Sequence, residues 1–511
     1  MDFLRISDFE FPLVRVQACN TEWTSGRGYS LQPFFMTDDD TVPRPLPSAA
    51  PSAPPQRFSW ITHGSLLGAT WRLALPMMGQ VVLQNLYTLV DMWFVGRLGP
   101  TALSAVGISG NIVNVLWTAA IGIVTGSTAI ISLAVGAGDR QRAQVAAGQS
   151  LLLALVVSVF GLAATPLAPR FLAGLGAQSD VVAVGTPYLS LLLAMSFTLY
   201  LSIVFSWALR GAGDAVTPLW VLGLSNLLNA GLDGLLIFGA GPVPAMGVTG
   251  AAVATVVAQG SAAAVLGWLF FVRGRGVFTL RPGDLRPRWG ALWQMFTIGI
   301  WGSGRMLILN ISGLALTGMV ATFGTAALAA YTVGLRLRIV VLSMGLGAFG
   351  GAAMTLVGQN IGAGRVDRAQ RAGWLSTGVF GLLALAAACV MFFFAPQCIG
   401  WFNDDPAVVA AGGSFLRWTA FSLVFLAPST VLGRAMNGAG DSFWPMVLTA
   451  ITMLGLRIPL SWWLARLWLS PTGVWAALAA SDVLQGSLFC AAFAWGRWKI
   501  IGQRQASAEL R

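Results

Sequence analysis

Charged residues are scarce in this chain of 511 residues, where Asp, Glu, Lys and Arg together make up only 10% of the sequence. Soluble globular domains carry about 25% charged residues, so the scarcity excludes a soluble protein. Histidine occurs once, at His63, outside the apolar segments. A single histidine supplies neither a metal cluster nor a catalytic triad, so we predict no metal site and no enzyme activity.

Cysteine is also rare, and the strict apolar/polar alternation of membrane β-strands is missing. The four cysteines, Cys19, Cys389, Cys398 and Cys490, have no metal or redox spacing, so buried free thiols are expected. A transmembrane β-barrel would show alternating segments of about 10 residues, which this sequence does not contain. Helices are therefore the remaining way to span a membrane.

Long apolar runs are abundant, and hydrophobic residues make up 56% of the chain. Runs of about twenty apolar residues are typical of transmembrane helices. The fold class that we predict is an all-α polytopic membrane protein with twelve transmembrane helices. The predicted spans are 68–95, 103–134, 144–168, 181–208, 217–239, 248–272, 291–322, 328–358, 371–395, 411–434, 444–467 and 472–495.

The ends of the chain and one internal segment differ from the spans. Residues 43–55 are rich in Pro, Ala and Ser and are expected to be disordered, because they cannot bury a core. No apolar stretch before them resembles a signal peptide, and Met36 is a candidate for the true start. The longest connection, 273–288, is basic and rich in Pro and Gly, and it divides the spans six and six. The predicted organisation is a disordered extension (1–65), a first lobe (66–272), a cytoplasmic linker (273–290), a second lobe (291–495) and a cytoplasmic tail (496–511).

The two halves of the sequence repeat one another. Three pairs of motifs align at offsets of about 226, 227 and 223 residues. Such a duplication indicates two pseudo-symmetric six-helix lobes around a central cavity, an arrangement found in transporters. The pairs are Val135-Gly-Ala-Gly with Ile361-Gly-Ala-Gly, Gly211-Ala-Gly-Asp214 with Gly438-Ala-Gly-Asp441, and Thr249-Gly-Ala with Thr472-Gly-Val.

Basic residues are unevenly distributed between the connections, and the net charge is +11. The even-numbered connections carry most of the arginines, among them Arg140, Arg142, Arg365 and Arg368. By the positive-inside rule, both termini and the repeated Gly-Ala-Gly loops lie in the cytoplasm. The basic residues therefore indicate topology and contact with lipid headgroups, and no nucleic-acid partner is expected.

Only three acidic residues fall inside the spans: Asp91, Asp233 and Asp482. A charged side chain inside a membrane costs at least about 2.5 kcal/mol, so it normally faces a protein interior or a wet cavity. At helical spacing Asp91 shares one face with Tyr87, Gln84 and Gln80. This polar stripe on an apolar helix predicts the wall of a transport pathway.

Asp233 lies in the same lobe as Asp91, with Asn229 one helical turn before it. Two carboxylates facing one cavity of low dielectric could hold and release a proton near physiological pH, or coordinate sodium with neighbouring oxygens. The alternative is structural, because intramembrane Asp and Asn also form hydrogen bonds between helices. The functional interpretation is favoured for Asp91 and Asp233.

Other polar and breaking residues carry weaker signals. Asp482 has only Ser481 and Gln485 as polar neighbours on its helix, and a structural role is favoured for it. Pro76 lies fifteen residues before Asp91, either as an ordinary kink or as a hinge that responds to the charge of Asp91. The intramembrane arginines are expected to reach the interface or to pair, and they are Arg305, Arg336, Arg338 and Arg457.

Taken together, the motifs resemble the multidrug and toxic compound extrusion (MATE) family, most closely its DNA-damage-inducible-protein-F-like bacterial branch. The resemblance covers about residues 66–495. The motifs that carry it are Leu73-Ala-Leu-Pro76, Leu89-Val-Asp-Met-Trp-Phe-Val-Gly96, Arg210-Gly-Ala-Gly-Asp214, Asn229-Ala-Gly-Leu-Asp233 and Gly250-Ala-Ala-Val-Ala-Thr255.

The resemblance implies a first-lobe cation site of four residues, Asp91, Asn229, Asp233 and Thr255. It also implies that Gln84 and Tyr87 line the substrate cavity and that Pro76 is the bending proline of the first helix. The other bacterial branch carries acidic residues on helices seven and ten, and neither span has one here. Span eight reads Arg336-Leu-Arg-Ile-Val340, where relatives often have an acidic residue after Arg-Ile. The resemblance therefore assigns no pairing there.

The function that this resemblance implies is a proton- or sodium-coupled antiporter that exports organic cations and amphiphilic drugs by alternating access. Its expected partners are these small molecules and membrane lipids, it needs no cofactor beyond the coupling ion, and a monomer in the bacterial inner membrane is expected. The closest alternative is a flippase for lipid-linked precursors, which clustering of Arg305, Arg336 and Arg338 in the central cleft would favour. A channel or passive scaffold is the other alternative, and it would need no titrating acidic pair.

Overall fold

The computed structural model describes residues 59–274 and 278–507. Most of the predicted extension (1–65), with Met36 and Cys19, lies outside the described residues. Its last part was predicted to be disordered, but Ser59–His63 forms a helix, α1. This prediction was wrong for α1 because charged side chains of the second lobe bind the carbonyl groups of that helix.

Within the described residues, the first lobe consists of eight α-helices that make up six spans. Local signals set several of their ends: Pro100 occupies the first turn of one helix, and the Asp139 carboxylate caps the next by accepting the Arg142 N–H at 2.9 Å. The helices are α2 (Leu66–Gly96), α3 (Pro100–Gly136), α4 (Arg140–Ala164), α5 (Ala168–Gly174), α6 (Ser179–Ala194), α7 (Ser196–Ala212), α8 (Val216–Phe238) and α9 (Gly247–Trp268).

The second lobe is also built from helices that follow one another along the chain. Two of its spans are interrupted by π-helical turns, at Met344–Phe349 and Ile451–Arg457. Such turns insert a residue into the helical hydrogen-bond pattern and recur at functional sites. The helices are α10 (Trp289–Ala321), α11 (Thr325–Ser343), α12 (Gly350–Gly362), α13 (Val366–Phe393), α14 (Ala395–Gly400), α15 (Pro406–Gly438), α16 (Phe443–Ala450), α17 (Ile458–Trp468), α18 (Thr472–Trp495) and α19 (Arg497–Ser507).

The predicted number of spans is confirmed. Within the described residues, eleven helices or helix combinations are long and apolar enough to cross a membrane. The pair α6 and α7, bent by 48° at Met195, makes a twelfth. The molecule is therefore a multi-pass helical membrane protein.

The internal repeat is visible in the backbone as well as in the sequence. Gly138 and Gly364 both adopt positive φ, at 77° and 73°, a conformation that glycine reaches without steric cost. The residues that follow them, Asp139 and Arg365, each donate a backbone N–H to the carbonyl five positions earlier, at 2.9 Å and 2.7 Å. These equivalent helix ends confirm the two pseudo-symmetric lobes.

The linker between the lobes packs against α4. The Gln149 side-chain amide donates to the carbonyl oxygens of Asp284 and Arg286, at 3.0 Å and 2.8 Å. Asp284 itself is buried and accepts the backbone N–H of Arg281 at 2.9 Å. The chain therefore enters the second lobe along a fixed path.

The lobes meet closely at one end of the bundle and part toward the other. At the closed end, the backbone of Gly136 lies against the Gln359 carbonyl with no room for a Cβ, and a Cβ on Gly122 would lie 3.0 Å from the Gly299 carbonyl oxygen. The opposite half of α3 has many exposed side chains, with Val115 at 69% of its full accessibility. The loops of the repeated Gly-Ala-Gly motifs and both described chain ends lie at the closed end.

Two short helices connect the lobes at this closed end. Helix α1 precedes the first lobe, and its Thr62 carbonyl accepts the Arg365 guanidinium of the second lobe at 2.8 Å. Helix α19 follows the second lobe, and its Ala506 carbonyl accepts the Arg142 guanidinium of the first lobe at 2.5 Å. In both cases an arginine of one lobe binds the terminal helix that is attached to the other lobe.

Candidate functional site

Helices α2 and α8 bring the two first-lobe carboxylates together. The Asn226 side-chain amide on α8 donates to the Leu83 carbonyl on α2 at 2.8 Å, which fixes the register of the pair. Two turns further on, Asp91 and Asp233 are close enough for the charge of one to act on the other. Asp233 is completely buried.

The polar atoms of this pair have few protein partners. Both carboxylate oxygens of Asp233, the Oδ1 of Asp91 and the Nδ2 of Asn229 are buried without a hydrogen bond. Among the ion pairs of the described residues, none includes either carboxylate. Buried polar atoms in proteins are almost always hydrogen-bonded, and exceptions concentrate at sites that bind protons, ions or water. The acidic cluster, defined as Asp91, Asn229 and Asp233, therefore offers ligand oxygens to a small cation.

Tyr87 and Thr255 form the next part of the site. The Tyr87 hydroxyl lies 2.9 Å from the Thr255 hydroxyl and joins α2 to α9 one turn from Asp91. The Thr255 hydroxyl therefore contacts Tyr87 rather than a carboxylate. The charges of Asp91 and Asp233 also act on Tyr87.

Tyr188 on α6 is a further candidate residue that was not predicted from the sequence. This side chain is buried, and the charges of Asp91 and Asp233 act on it. The signal was present, because the sequence has only five tyrosines and this one lies inside an apolar span. Tyr188 therefore lies near the acidic cluster.

The polar stripe predicted on the first helix contains both buried and exposed side chains. Gln80 is buried, donates to the Ala215 carbonyl at 2.8 Å and accepts from the Arg210 guanidinium, so it links helices. Gln84 is exposed on the same helix. Helix α2 continues without interruption through Pro76, which is partly buried.

Asp482 is part of a buried ionic cluster in the second lobe. Arg338 on α11 and Arg457 at the second π turn each pair with one of its carboxylate oxygens. The Ser422 hydroxyl donates to the same carboxylate at 2.9 Å. Asp482 thus has the structural role expected for it, and its arginine partners come from distant parts of the sequence.

The remaining arginines are separated from this cluster. Arg336 is exposed on α11, and Arg305 donates to the Ser429 carbonyl at 2.9 Å with its guanidinium 5.1 Å from the Phe489 ring centre. Because Arg338 is bound to Asp482, the group of Arg305, Arg336 and Arg338 considered for a flippase does not form.

A duplicated bundle of membrane-spanning helices around a cleft, with unpaired acidic side chains in one lobe, is the architecture of a membrane transporter. The family model described as MatE matches residues 76–235 and again residues 303–463, one match for each lobe. The chain belongs to the MatE family, the multidrug and toxic compound extrusion transporters, and is a transporter rather than an enzyme.

This chain aligns with individual relatives over most of their length. The chain is 29% identical to the probable multidrug resistance protein NorM of Thermotoga maritima, over 84% of this chain and 92% of that protein. It is 26% identical to a FAD transporter of Shewanella oneidensis, over 73% and 83%. A solved outward-facing structure of a multidrug resistance MATE family transporter matches with a TM-score of 0.79 and 25% identity, over 89% and 99%.

Proposed function

We propose that this protein exports organic cations and other amphiphiles by alternating access, driven by inward flow of protons or sodium. The observation that carries the proposal is the acidic cluster, whose buried carboxylate oxygens have no protein partner. A proton or a sodium ion is the smallest species that would satisfy them. The named relatives support the cargo class, since one is a probable multidrug resistance protein.

Coupling would run along α2, because this helix contacts both lobes. Asp91 lies near the end of α2, and Val81 lies ten residues earlier on the same helix. Val81 packs closely on the second lobe, because a Cβ built on Gly347 would lie 2.8 Å from the Val81 side chain. Met77 belongs to one buried apolar cluster with Phe349 of the first π turn. Adding a cation to the acidic cluster changes the charge beside α2, and Pro76 is the point where this helix can bend. We expect the bend to loosen the contact with the second lobe.

The proposed setting is the bacterial inner membrane, with both termini in the cytoplasm and the transporter acting as a monomer among lipids. The positive-inside rule supports this orientation, because Arg140, Arg142, Arg365 and Arg368 all lie at the closed end. In that orientation the cleft opens to the outside. The acidic cluster then receives its ion from the outside, as an inward coupling gradient requires.

The test uses proteoliposomes that contain the purified protein and a fluorescent organic cation. A proton gradient and a sodium gradient are applied separately to wild type, Asp91→Asn and Asp233→Asn. We expect wild type to move the dye on one of the two gradients, and both variants to lose at least about tenfold of that rate. Asp404→Asn is the matched control, since Asp404 is exposed in a loop. Equal rates in all four proteins would refute a coupling role for the acidic cluster.

A second candidate function is movement of a cargo that carries phosphate groups, as a flippase for lipid-linked precursors would. The group of Arg305, Arg336 and Arg338 does not form, but Arg305 lies near a different arginine, Arg434. The relative named as a FAD transporter moves a molecule with a pyrophosphate. These observations favour an acidic cargo as the second candidate beside the cationic one.

A further inference from the structure

Three arginines from both lobes meet at the closed end of the cleft. Arg210 lies at the end of α7 in the first lobe, while Arg305 on α10 and Arg434 on α15 belong to the second lobe. Arg434 is close enough to act electrostatically on both of the others. We define these three residues as the arginine site.

A tryptophan lies between two of these cations. The Trp207 ring centre is 4.6 Å from the Arg210 guanidinium carbon and 5.2 Å from that of Arg434. Trp207 and Arg434 are also related by about 227 residues, the offset of the second repeated motif. Equivalent positions of the two lobes therefore contact each other, which puts the arginine site on the pseudo-two-fold axis.

The arginine site lacks the counter-charge that the chain supplies elsewhere. Within the described residues, no carboxylate forms an ion pair with Arg210, Arg305 or Arg434. Their protein partners are neutral: the Gln80 side chain for Arg210 and the Ser429 carbonyl for Arg305. The Nε of Arg210 is buried without a partner. By contrast, the other buried arginine pair shares the Asp482 carboxylate.

Three neighbouring cations in a medium of low dielectric repel one another, and the repulsion is relieved when an anion binds among them. Guanidinium groups bind carboxylate and phosphate oxygens through several charge-assisted hydrogen bonds. The cation–π contacts of Trp207 hold two of these guanidinium groups near each other. The arginine site thus has the chemistry to bind a carboxylate or phosphate group.

We propose that the arginine site binds the acidic group of an amphiphilic cargo. This inference rests on the proposed export of amphiphiles and names the residues that would bind an acidic group of the cargo. The acidic cluster and the arginine site would then have separate tasks, with the first binding the coupling ion and the second the oxyanion of the cargo.

The experiment uses two dyes with one ring system. Rhodamine 110 carries a free carboxylate, and rhodamine 123 is its methyl ester. Binding of each to the purified full-length protein in neutral detergent is measured by fluorescence anisotropy. We expect wild type to bind the free acid more tightly than Arg434→Gln and Arg305→Gln do, by about tenfold in Kd, with the ester nearly unchanged in all three. Arg434→Lys should recover part of the difference, and Arg336→Gln is the exposed control.

Two outcomes would overturn the inference. One is an equal ratio of acid to ester affinity in wild type and in both arginine variants. The other is displacement of rhodamine 110 by phosphatidylglycerol together with equal transport of the two dyes, which would assign the site to lipid headgroups. If Arg434→Gln does not fold, Arg305→Gln gives the same comparison with an independent variant.

Failure of this inference is distinguishable from failure of the proposed function. Binding in detergent needs no gradient, so loss of gradient-driven rhodamine 123 transport in wild type would refute coupled export and leave the affinity ratio intact. Gradient-driven transport without any preference for the acid would refute the arginine site alone.

Discussion

Arg142 and Arg368 occupy equivalent positions in the two repeats, and each guanidinium holds the end of a terminal helix from the opposite lobe. Arg142 donates to the carbonyl oxygens of Ala506 and Gln505, both at 2.5 Å. Arg368 donates to the carbonyl oxygens of Ile61, at 3.3 Å, and of Gly64. A cation at the carbonyl end of a helix is favourable because the last carbonyls are unpaired there. The two arginines therefore form a symmetric pair of contacts between the lobes at the closed end, which we call the arginine–helix contacts.

The first prediction concerns these arginine–helix contacts. Arg142→Ala with Arg368→Ala should raise the population in which the closed end is open by about tenfold, because charged hydrogen bonds are lost only in the closed state. Spin labels on cysteines at Arg140 and Asp367, which are exposed on the two lobes, measure the separation by electron resonance. The native cysteines are replaced by alanine.

The control is Arg371→Ala, since Arg371 is an exposed arginine near Arg368. Distance distributions that do not differ between the double variant and this control would contradict the prediction that the arginine–helix contacts keep this end closed.

The second prediction concerns Asp482. Asp482→Asn leaves Arg338 and Arg457 buried without a carboxylate, and breaking a buried ion pair in this way costs about 3–5 kcal/mol. The melting temperature in detergent should fall, and adding Arg338→Gln should restore part of it because one excess charge is removed. A double variant that melts below Asp482→Asn would argue against the ionic interpretation.

The third prediction concerns the hydroxyl contact between Tyr87 and Thr255. Tyr87→Phe and Thr255→Val each remove it, at a cost of about 0.5–1.5 kcal/mol. If the contact orders α2 beside the acidic cluster, the two substitutions should raise the ion concentration for half-maximal transport by a similar factor. The double variant should then resemble either single variant. Additive effects would mean that the two hydroxyl groups act independently.

The fourth prediction concerns Asp441, in the loop between α15 and α16. Burial raises the pKa of the Asp441 carboxyl to about 6, against weaker opposing effects of the Trp444 N–H and Arg497. The folded protein therefore keeps this proton at pH values where the unfolded chain has lost it. The stabilisation is complete below about pH 4 and is lost as the pH rises through about 6.

Asp441→Asn should accordingly raise the melting temperature at pH 7.5, and the gain should disappear at pH 4. Asp214→Asn is the matched control from the first repeat. Its carboxylate accepts the N–H and the hydroxyl of Thr217, at 3.0 Å and 2.7 Å, so its amide should bring no gain. A wild-type advantage at pH 7.5 would contradict the prediction.

The sequence by itself determined the spans, the duplication and the positions of the acidic residues. These features depend on local chemistry: an apolar run of about twenty residues needs a membrane, and a glycine such as Gly138 or Gly364 ends its helix. Asp91 and Asp233 were identified for the same reason, because a carboxylate within an apolar run stands out whatever surrounds it in space.

Only the tertiary structure decided which polar groups meet. Gln80 shares a helical face with Asp91 yet binds Arg210, and Asp482 lies 144 residues from its partner Arg338. The arginine site combines residues of both lobes in the same way. Helical spacing predicts neighbours along one helix, whereas these contacts depend on how separate helices pack, and that packing is set by the shapes of many side chains at once.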